Sequence, residues 1–184
     1  MCQSHRKKTP DLWLFTDERV SDAALLSAVA RLPRGKAGVV FRHYRTEVRA
    51  RRQLYEAVRS IARRRRLVLL LAGDARTAQA WSADGWHGRG GKPMVRRMLR
   101  SAPVHGLREL LAAHRGGADL IFLSPLFSTR SHLGAAALGR VRFAAMAHRA
   151  AMPVMALGGV RSEHRNMLAA IGAQGWAAID GLSR

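Results

Sequence analysis

The sequence is poor in cysteine, in acidic residues and in long apolar runs. Cys2 is the single cysteine among 184 residues, which excludes an internal disulfide and any metal site built from a cysteine cluster. No apolar run approaches the roughly 18 residues that a membrane span needs. No apolar stretch of signal-peptide type follows the basic start of the chain. These absences predict a cytoplasmic protein with no membrane partner.

The shortage of acidic residues leaves a large excess of positive charge. Twelve Asp and Glu face 32 Lys and Arg, for a net charge of +20, and 28 of the 32 cations are Arg. Such a balance suits an anionic substrate or a polyanionic partner. The Arg residues are spread along the whole chain, whereas a dedicated nucleic-acid binder usually concentrates them. Compositional bias is therefore the favoured interpretation, and a nucleic-acid partner is the less favoured alternative.

Short apolar runs alternate with amphipathic segments along the chain. The runs that predict strands cover residues 12–15, 37–41, 67–71, 85–87, 102–105, 120–123, 153–157 and 175–179. Helical spacing and capping residues predict helices over 21–32, 46–66, 107–116, 136–150 and 162–172, a short helix that ends at Trp81, and a helical turn over 94–99. Polar and glycine-rich loops are expected over 88–93 and 128–134.

Eight strands that alternate with helices predict a parallel sheet with right-handed crossovers. The count favours a closed (β/α)8 TIM barrel, an α/β fold that is compact here because a typical barrel has ~250 residues, with a truncated final helix. An open doubly wound sheet is the alternative. No G-x-G-x-x-G turn follows the first strand, which weakens a dinucleotide-binding version of it. We expect a flexible basic tail over residues 1–10 and one barrel domain over 11–184.

Functional residues of such a barrel gather where the strands end. Most residues at the predicted strand ends are polar or glycine: Asp17, Arg42, His43, Asp74, His87, His105, Ser124, Gly158, Gly159 and Asp180. The Gly158-Gly159 turn is suited to hold a phosphate, because backbone without Cβ atoms can approach an anion closely with its N–H groups. A following helix capped by Ser162 would add a positive dipole end. The alternative is that the two glycines only make a tight βα turn.

Five segments resemble one known family. Residues 153–160 (PVMALGGV) resemble the "PVvAIGGI" strand of the thiamine phosphate synthases and their thiazole tautomerase relatives. Four other segments resemble motifs of the same family: residues 83–87 resemble "ADGVH", 117–129 "GADYIGFGPVFPT", 172–179 "GADGVAVI" and 14–17 "l(i/v)TD". The matches occur in the family's order at workable spacing and cover nearly the whole chain.

The resemblance implies a fold, a reaction and a cofactor. The fold is a (β/α)8 barrel. The reaction is a transfer in thiamine biosynthesis that joins hydroxymethylpyrimidine diphosphate to thiazole phosphate and releases pyrophosphate. Mg2+ is expected on the diphosphate. The pyrimidine departs as a stabilised cation, so the role of the protein is mainly the placement of charge.

The resemblance also assigns residues to the diphosphate side of the site. Arg42 stands at the Arg of the family's "QLREK" strand and is expected to meet the diphosphate. Asp74 matches the Asp of "NDR" and is the predicted Mg2+ ligand. His43 and Tyr44 replace the acidic and Lys residues that follow the Arg, and Lys92 falls near the second Mg2+ carboxylate. A cation at that position repels a metal ion.

On the thiazole phosphate side, Thr129 and Ser131 match the hydroxyls of the family's "TPT", and His132 stands at the Lys that meets pyrophosphate. With Gly158 and Gly159, the end of the last strand at Ile179 and Asp180 completes the predicted phosphate site, although the family usually has Ser where this chain has Asp180. Pro125 replaces the His of the tautomerase branch, so tautomerase activity is not supported. No catalytic residue is assigned.

Three functions stay open at this point. The ordered motifs favour a working thiamine phosphate synthase. The replaced Lys and carboxylate residues favour a divergent relative that binds a phosphorylated or other anionic small molecule. The charge alone suggests a barrel associated with nucleic acid, for which affinity would fall steeply with salt. A homo-oligomer is compatible with each of them.

Overall fold

The computed structural model describes residues 9–90, 98–128 and 136–179. Eight parallel strands pair in chain order, and the last pairs with the first to close a barrel. The strands are β1 Leu12–Phe15, β2 Ala37–Phe41, β3 Val68–Ala72, β4 Gly85–His87, β5 Leu99–Val104, β6 Leu120–Leu123, β7 Val154–Ala156 and β8 Gly175–Ala178. The predicted barrel is confirmed, and the open doubly wound alternative is wrong.

Six α-helices in the described ranges surround the barrel. They are α1 Asp22–Arg31, α2 Val48–Arg65, α3 Ala75–Ala80, α4 Leu107–Arg115, α5 Gly139–Ala147 and α6 Arg165–Ala170, and a 3₁₀ turn over Ser162–His164 precedes α6. The strand β8 ends at Ala178, and residues 180–184, where the final helix would follow, lie outside the described ranges. No helix in these ranges is long and apolar enough to span a membrane.

Local sequence signals explain where the first helices begin. The Ser21 hydroxyl accepts a hydrogen bond from the N–H of Ala24 at 3.4 Å and caps α1. The Glu47 carboxylate accepts from the N–H groups of Arg49 and Ala50 at 2.9 and 3.0 Å and caps α2. Such caps satisfy N–H groups that the helix itself leaves unpaired. Both helix starts agree with the sequence prediction.

Three predicted boundaries are wrong. β5 begins at Leu99, which pairs with Gly85, so the end of the helical turn predicted over 94–99 is strand; residues 94–97 lie outside the described ranges. α5 is shorter than the predicted 136–150, because the N–H of Leu138 is tied to the carbonyl of Pro125 at 2.9 Å. Ser162 does not cap a helix; it opens the 3₁₀ turn, and α6 begins only at Arg165.

Aromatic and aliphatic side chains fill the barrel interior. Trp13 lies fully buried inside it, and its Nε1–H donates to the carbonyl of Pro10 at 2.8 Å. Its ring meets Phe122 edge to face, with centroids 5.4 Å apart. Gly38 on β2 makes room for it, since a Cβ there would lie 2.7 Å from Trp13 Cη2 and closer still to two other ring carbons. In barrels of this class the functional groups gather at the carboxyl ends of the strands, and this end is called the mouth below.

Candidate active site

A buried histidine, His87, lies among aromatic rings just below the mouth, and these side chains form the floor of the mouth. The Nδ1 of His87, at the end of β4, lies 2.9 Å from the Oγ of Ser101 on β5. The rings of Phe15 and Phe122 stand edge-on to the imidazole, with centroids at 5.3 and 5.4 Å. Burial lowers the pKa of His87 to about 3, and the nearby Arg42 and His105 act in the same direction. The imidazole is therefore neutral at physiological pH.

His43 holds two strands together. Its Nδ1 lies 2.9 Å from the Oγ1 of Thr16, and that hydroxyl also accepts from the backbone N–H of Arg42 at 2.8 Å. The imidazole stacks on Phe41, with centroids 4.7 Å apart. Burial lowers the pKa of His43. Thr16 was missed by the sequence analysis, because its partner lies on the neighbouring strand and 27 positions away.

Asp17 is an ionised carboxylate that already has cationic partners. It forms an ion pair with Arg19, whose Nε donates to both carboxylate oxygens at 3.0 Å, and the Arg42 Nη2 lies 4.0 Å away. The hydrogen bond from Arg19 lowers the pKa of Asp17 to about 2. The Arg42 side chain is 26% exposed at the rim, so it remains accessible to an anion in the mouth of the barrel.

Asp74 serves as the cap of α3. Its Oδ1 accepts from the N–H of Thr77 at 2.9 Å, and its Oδ2 accepts from the Thr77 hydroxyl at 2.8 Å. These bonds lower the pKa of Asp74. Within the described ranges, no group of three or more His, Cys, Asp or Glu side chains is placed to hold a metal ion. The Asp74 carboxylate already accepts two hydrogen bonds from Thr77, so it fits the Mg2+ that the resemblance implies poorly, and its metal-binding role stays a prediction.

Arginines and one acid–base pair border the mouth between β3 and β5. The Nη2 of Arg51 donates to the carbonyl of Ala72 at 2.9 Å. Glu109 on α4 lies between His105 Nδ1 at 2.8 Å and Arg89 Nη2 at 3.0 Å. His105 was expected at a strand end, but Arg51, Arg89 and Glu109 were missed. Their placement depends on contacts between separate elements of the barrel.

The Gly158-Gly159 turn packs tightly against the loop after β6. Both glycines have positive φ, +97° and +64°. A Cβ on Gly158 would lie 2.8 Å from Pro125 Cα, and one on Gly159 would lie 2.9 Å from Phe127 Cβ. Neither of their N–H groups donates to an acceptor in the described part of the chain. Among the described residues, the turn thus has two backbone donors without an acceptor.

The remaining predicted phosphate ligands have no described surroundings. Thr129, Ser131, His132 and Asp180, and also Lys92, lie outside the described ranges. Ile179 is the last residue described before the end of the chain, and its side chain packs against the apolar cluster inside the barrel. The ligand roles of these residues, and those of Arg42 and the two glycines, stay predictions.

The fold and the strand ends define a class of protein, a (β/α)8 barrel with arginine side chains at the carboxyl ends of its strands. The family model described as thiamine monophosphate synthase matches residues 12–182. The chain belongs to that family.

Relatives of similar length support this membership. The chain is 28% identical over 178 residues to a thiamine-phosphate synthase of Chloroflexus aurantiacus, across 91% of this chain and 82% of that protein. It is 29% identical over 184 residues to a thiamine-phosphate synthase of Syntrophomonas wolfei, across 93% and 87%. The solved thiamine phosphate pyrophosphorylase of Pyrococcus furiosus superposes with a TM-score of 0.79 at 20% identity, covering 97% of this chain and 90% of that one, a likeness of fold.

Proposed function

We propose that this protein joins hydroxymethylpyrimidine diphosphate to thiazole phosphate at the mouth of the barrel and releases pyrophosphate. The observation that carries the proposal is the Gly158-Gly159 turn, whose two backbone N–H groups lack an acceptor in the described part of the chain. Backbone N–H groups of this kind suit the phosphate of the thiazole substrate. Family membership supplies the substrate class.

The proposed chemistry is a substitution at the pyrimidine methylene carbon. The bond from that carbon to the diphosphate oxygen breaks, and its electron pair leaves on pyrophosphate. The lone pair of the thiazole nitrogen then forms the new bond to carbon. Positive charge develops on the pyrimidine and negative charge on the departing group, so fixed dipoles and charges at the two ends of the site would lower the barrier.

The floor of the mouth suits the developing pyrimidine cation. The faces of Phe15 and Phe122 carry negative electrostatic potential, which attracts cations. His87, which packs against both rings, is neutral, because burial lowers its pKa to about 3. A protonated imidazole at this place would repel the cation. Arg42 at the rim is one described side chain suited to the leaving pyrophosphate, because a guanidinium binds phosphate oxygens in a bidentate manner.

A divergent relative without synthase activity is the second candidate. Three observations favour it: His43 is committed to Thr16, Tyr44 stands where the family has Lys, and Asp74 caps α3. Such a protein would still bind a phosphorylated small molecule. The cytoplasmic location, the domain over residues 11–184, a homo-oligomer and the less favoured nucleic-acid partner all stay predictions.

A direct assay separates the two candidates. Both thiamine precursors are mixed with the protein at high concentration, in parallel with Mg2+ and with EDTA, and thiamine phosphate is measured. Product in either condition supports the synthase. The Gly159→Asp variant serves as the control for contaminating enzyme. Absence of product in both conditions, with thiazole phosphate still bound in calorimetry, would leave the divergent relative.

A further inference from the structure

Three arginines lie along one arc of the mouth, over β2, β3 and β4. Arg42 directly follows β2, and Arg89 stands two residues after β4. Arg51 belongs to the first turn of α2, but its Nη2 donates to the carbonyl of Ala72, the last residue of β3. Neighbouring strands lie about 4.8 Å apart, so the three side chains share one small sector of the rim.

The phenol of Tyr44 is a common neighbour of the three guanidinium groups. Desolvation by the surrounding protein raises its pKa, although 61% of the side chain is exposed, and Arg42, Arg51 and Arg89 all act to lower it. Arg42 also acts on His87 on the floor. These interactions join the arc of arginines to the mouth of the barrel.

The described carboxylates of this sector already have partners within the protein. Asp17 pairs with Arg19, and Asp74 caps α3. Glu18 accepts from the backbone N–H groups of Arg45 and Thr46, and Glu47 caps α2. Glu109 accepts from His105 and forms an ion pair with Arg89. Mg2+ is normally bound through one or two carboxylates that are free to coordinate it. This sector offers cations in the place of such carboxylates.

Arg51 is held in place and keeps an unused donor. Its guanidinium lies over the ring of Trp81 at 5.2 Å from the centroid, and one nitrogen is fixed by Ala72. Its buried Nε has no hydrogen-bond partner in the described part of the chain. A buried donor without an acceptor is costly. The guanidinium is therefore fixed beside the end of β3 with its hydrogen bonding incomplete among the described residues.

We propose that Arg42, Arg51 and Arg89 bind the diphosphate of the substrate directly and that no divalent cation is needed for this binding. The inference rests on the proposed function, since it concerns the diphosphate end of the same site. Guanidinium groups stay charged at all physiological pH values and match phosphate oxygens in pairs. Arg51 has no carboxylate partner among the described residues, and Arg42 and Arg89 would turn part of their charge from Asp17 and Glu109 to the diphosphate.

Calorimetry with inorganic pyrophosphate tests the inference without turnover. The protein is titrated in EDTA and again with Mg2+, at 0.2 M salt (about physiological ionic strength) to screen weak surface binding. We expect binding in EDTA. Arg89→Gln and Arg51→Gln should each weaken it by about tenfold or more, the usual effect of losing a charge-assisted hydrogen bond. Arg63→Gln, at the other end of α2, is the matched control and should bind as the unmodified protein does.

Arg89 is 67% exposed, so its variant is not expected to unfold even if Arg51→Gln does. Pyrophosphate binding that appears only with Mg2+, or equal affinity in Arg89→Gln and Arg63→Gln, would overturn the inference. Formation of thiamine phosphate is measured separately. If thiamine phosphate forms but pyrophosphate binds only with Mg2+, the inference is wrong and the proposed function stands. If pyrophosphate binds in EDTA but no thiamine phosphate forms in either condition, the proposed reaction is wrong and the inference stands.

Discussion

His87 and Ser101 lie side by side on β4 and β5, with 2.9 Å between the imidazole Nδ1 and the hydroxyl oxygen, inside a ring of aromatic side chains. This pairing fixes the orientation of a histidine at the floor of the mouth. Because burial keeps the imidazole neutral, His87 is suited to contact a substrate ring and unsuited to donate a proton at neutral pH. The pairing therefore fixes the orientation of a neutral imidazole.

We expect the His87 imidazole to stay neutral between about pH 5 and 8, in contrast to an ordinary histidine with a pKa near 6.5. The folded protein has a pKa of about 3 at this position. Between these two values the unfolded chain binds more protons, so stability falls as the pH drops, by up to about 1.4 kcal/mol per pH unit. NMR of the ring carbons and urea unfolding measure the two effects. A ring that titrates near pH 6.5 would contradict this prediction. In His87→Asn, the free energy of unfolding should fall less steeply as the pH drops.

The glycine turn gives a second prediction. Gly159→Asp should abolish binding of thiazole phosphate in calorimetry, because the new side chain meets Phe127 and places a negative charge beside the anion. Gly35→Ala is the control, since Gly35 has a similar φ of +69° with open space around it. That control should lose about 1 kcal/mol of stability from backbone strain and keep its affinity. Unchanged affinity in Gly159→Asp would exclude the turn as the phosphate site.

Strands with continuous apolar runs could be predicted closely from the sequence. The predicted limits of β1, β2 and β6 are those of the structure. A parallel strand covered on both faces is apolar throughout, which makes it visible in the sequence. The start of β5 was predicted at residue 102 and lies at Leu99, because the strand contains Arg100, Ser101 and Pro103. Ser101 faces the mouth, where polar residues are expected, and Arg100 is buried outside the barrel against Gly116.

The site could be predicted only in part. Strand ends and the glycine turn follow from local pattern, and they pointed to Arg42, His87 and Gly158. Hydrogen bonds between separate elements of the barrel do not follow from local pattern. The bond between His87 and Ser101 depends on the register of β4 with β5, and that of Arg51 with Ala72 depends on how α2 packs on β3. Neither relationship leaves a periodic signal in the sequence.

Asp74 gives a third prediction, which separates a helix cap from a metal ligand. Asp74→Ala should lose about 1 kcal/mol of stability in urea unfolding, because the N–H of Thr77 loses its acceptor. Asp74→Asn keeps an oxygen acceptor and should retain most of that stability. If Asp74 acted only as a metal ligand, Asp74→Ala would unfold at the same urea concentration as the unmodified protein in EDTA, and the cap assignment would be wrong.

The contact between Gly38 and Trp13 gives the last prediction. Gly38→Ala should destabilise the barrel by about 1–3 kcal/mol, the usual cost of overpacking a core. The added methyl group would lie within 3 Å of the Trp13 ring, which is enclosed on every side and held by Pro10. Gly106→Ala is the matched control, because a Cβ at that glycine meets nothing within 4 Å. Urea unfolding of both variants measures the difference.

A double-mutant cycle shows whether the clash with Trp13 is the cause. Trp13→Phe removes the outer ring carbons that the new methyl group of Gly38→Ala would strike, at the cost of a cavity of its own. Because the two residues are in contact, their effects should not add. We expect the double variant to be less destabilised than the sum of the two single changes. Additive effects, or equal stability losses in Gly38→Ala and Gly106→Ala, would mean that the Trp13 ring does not set the requirement for glycine on β2.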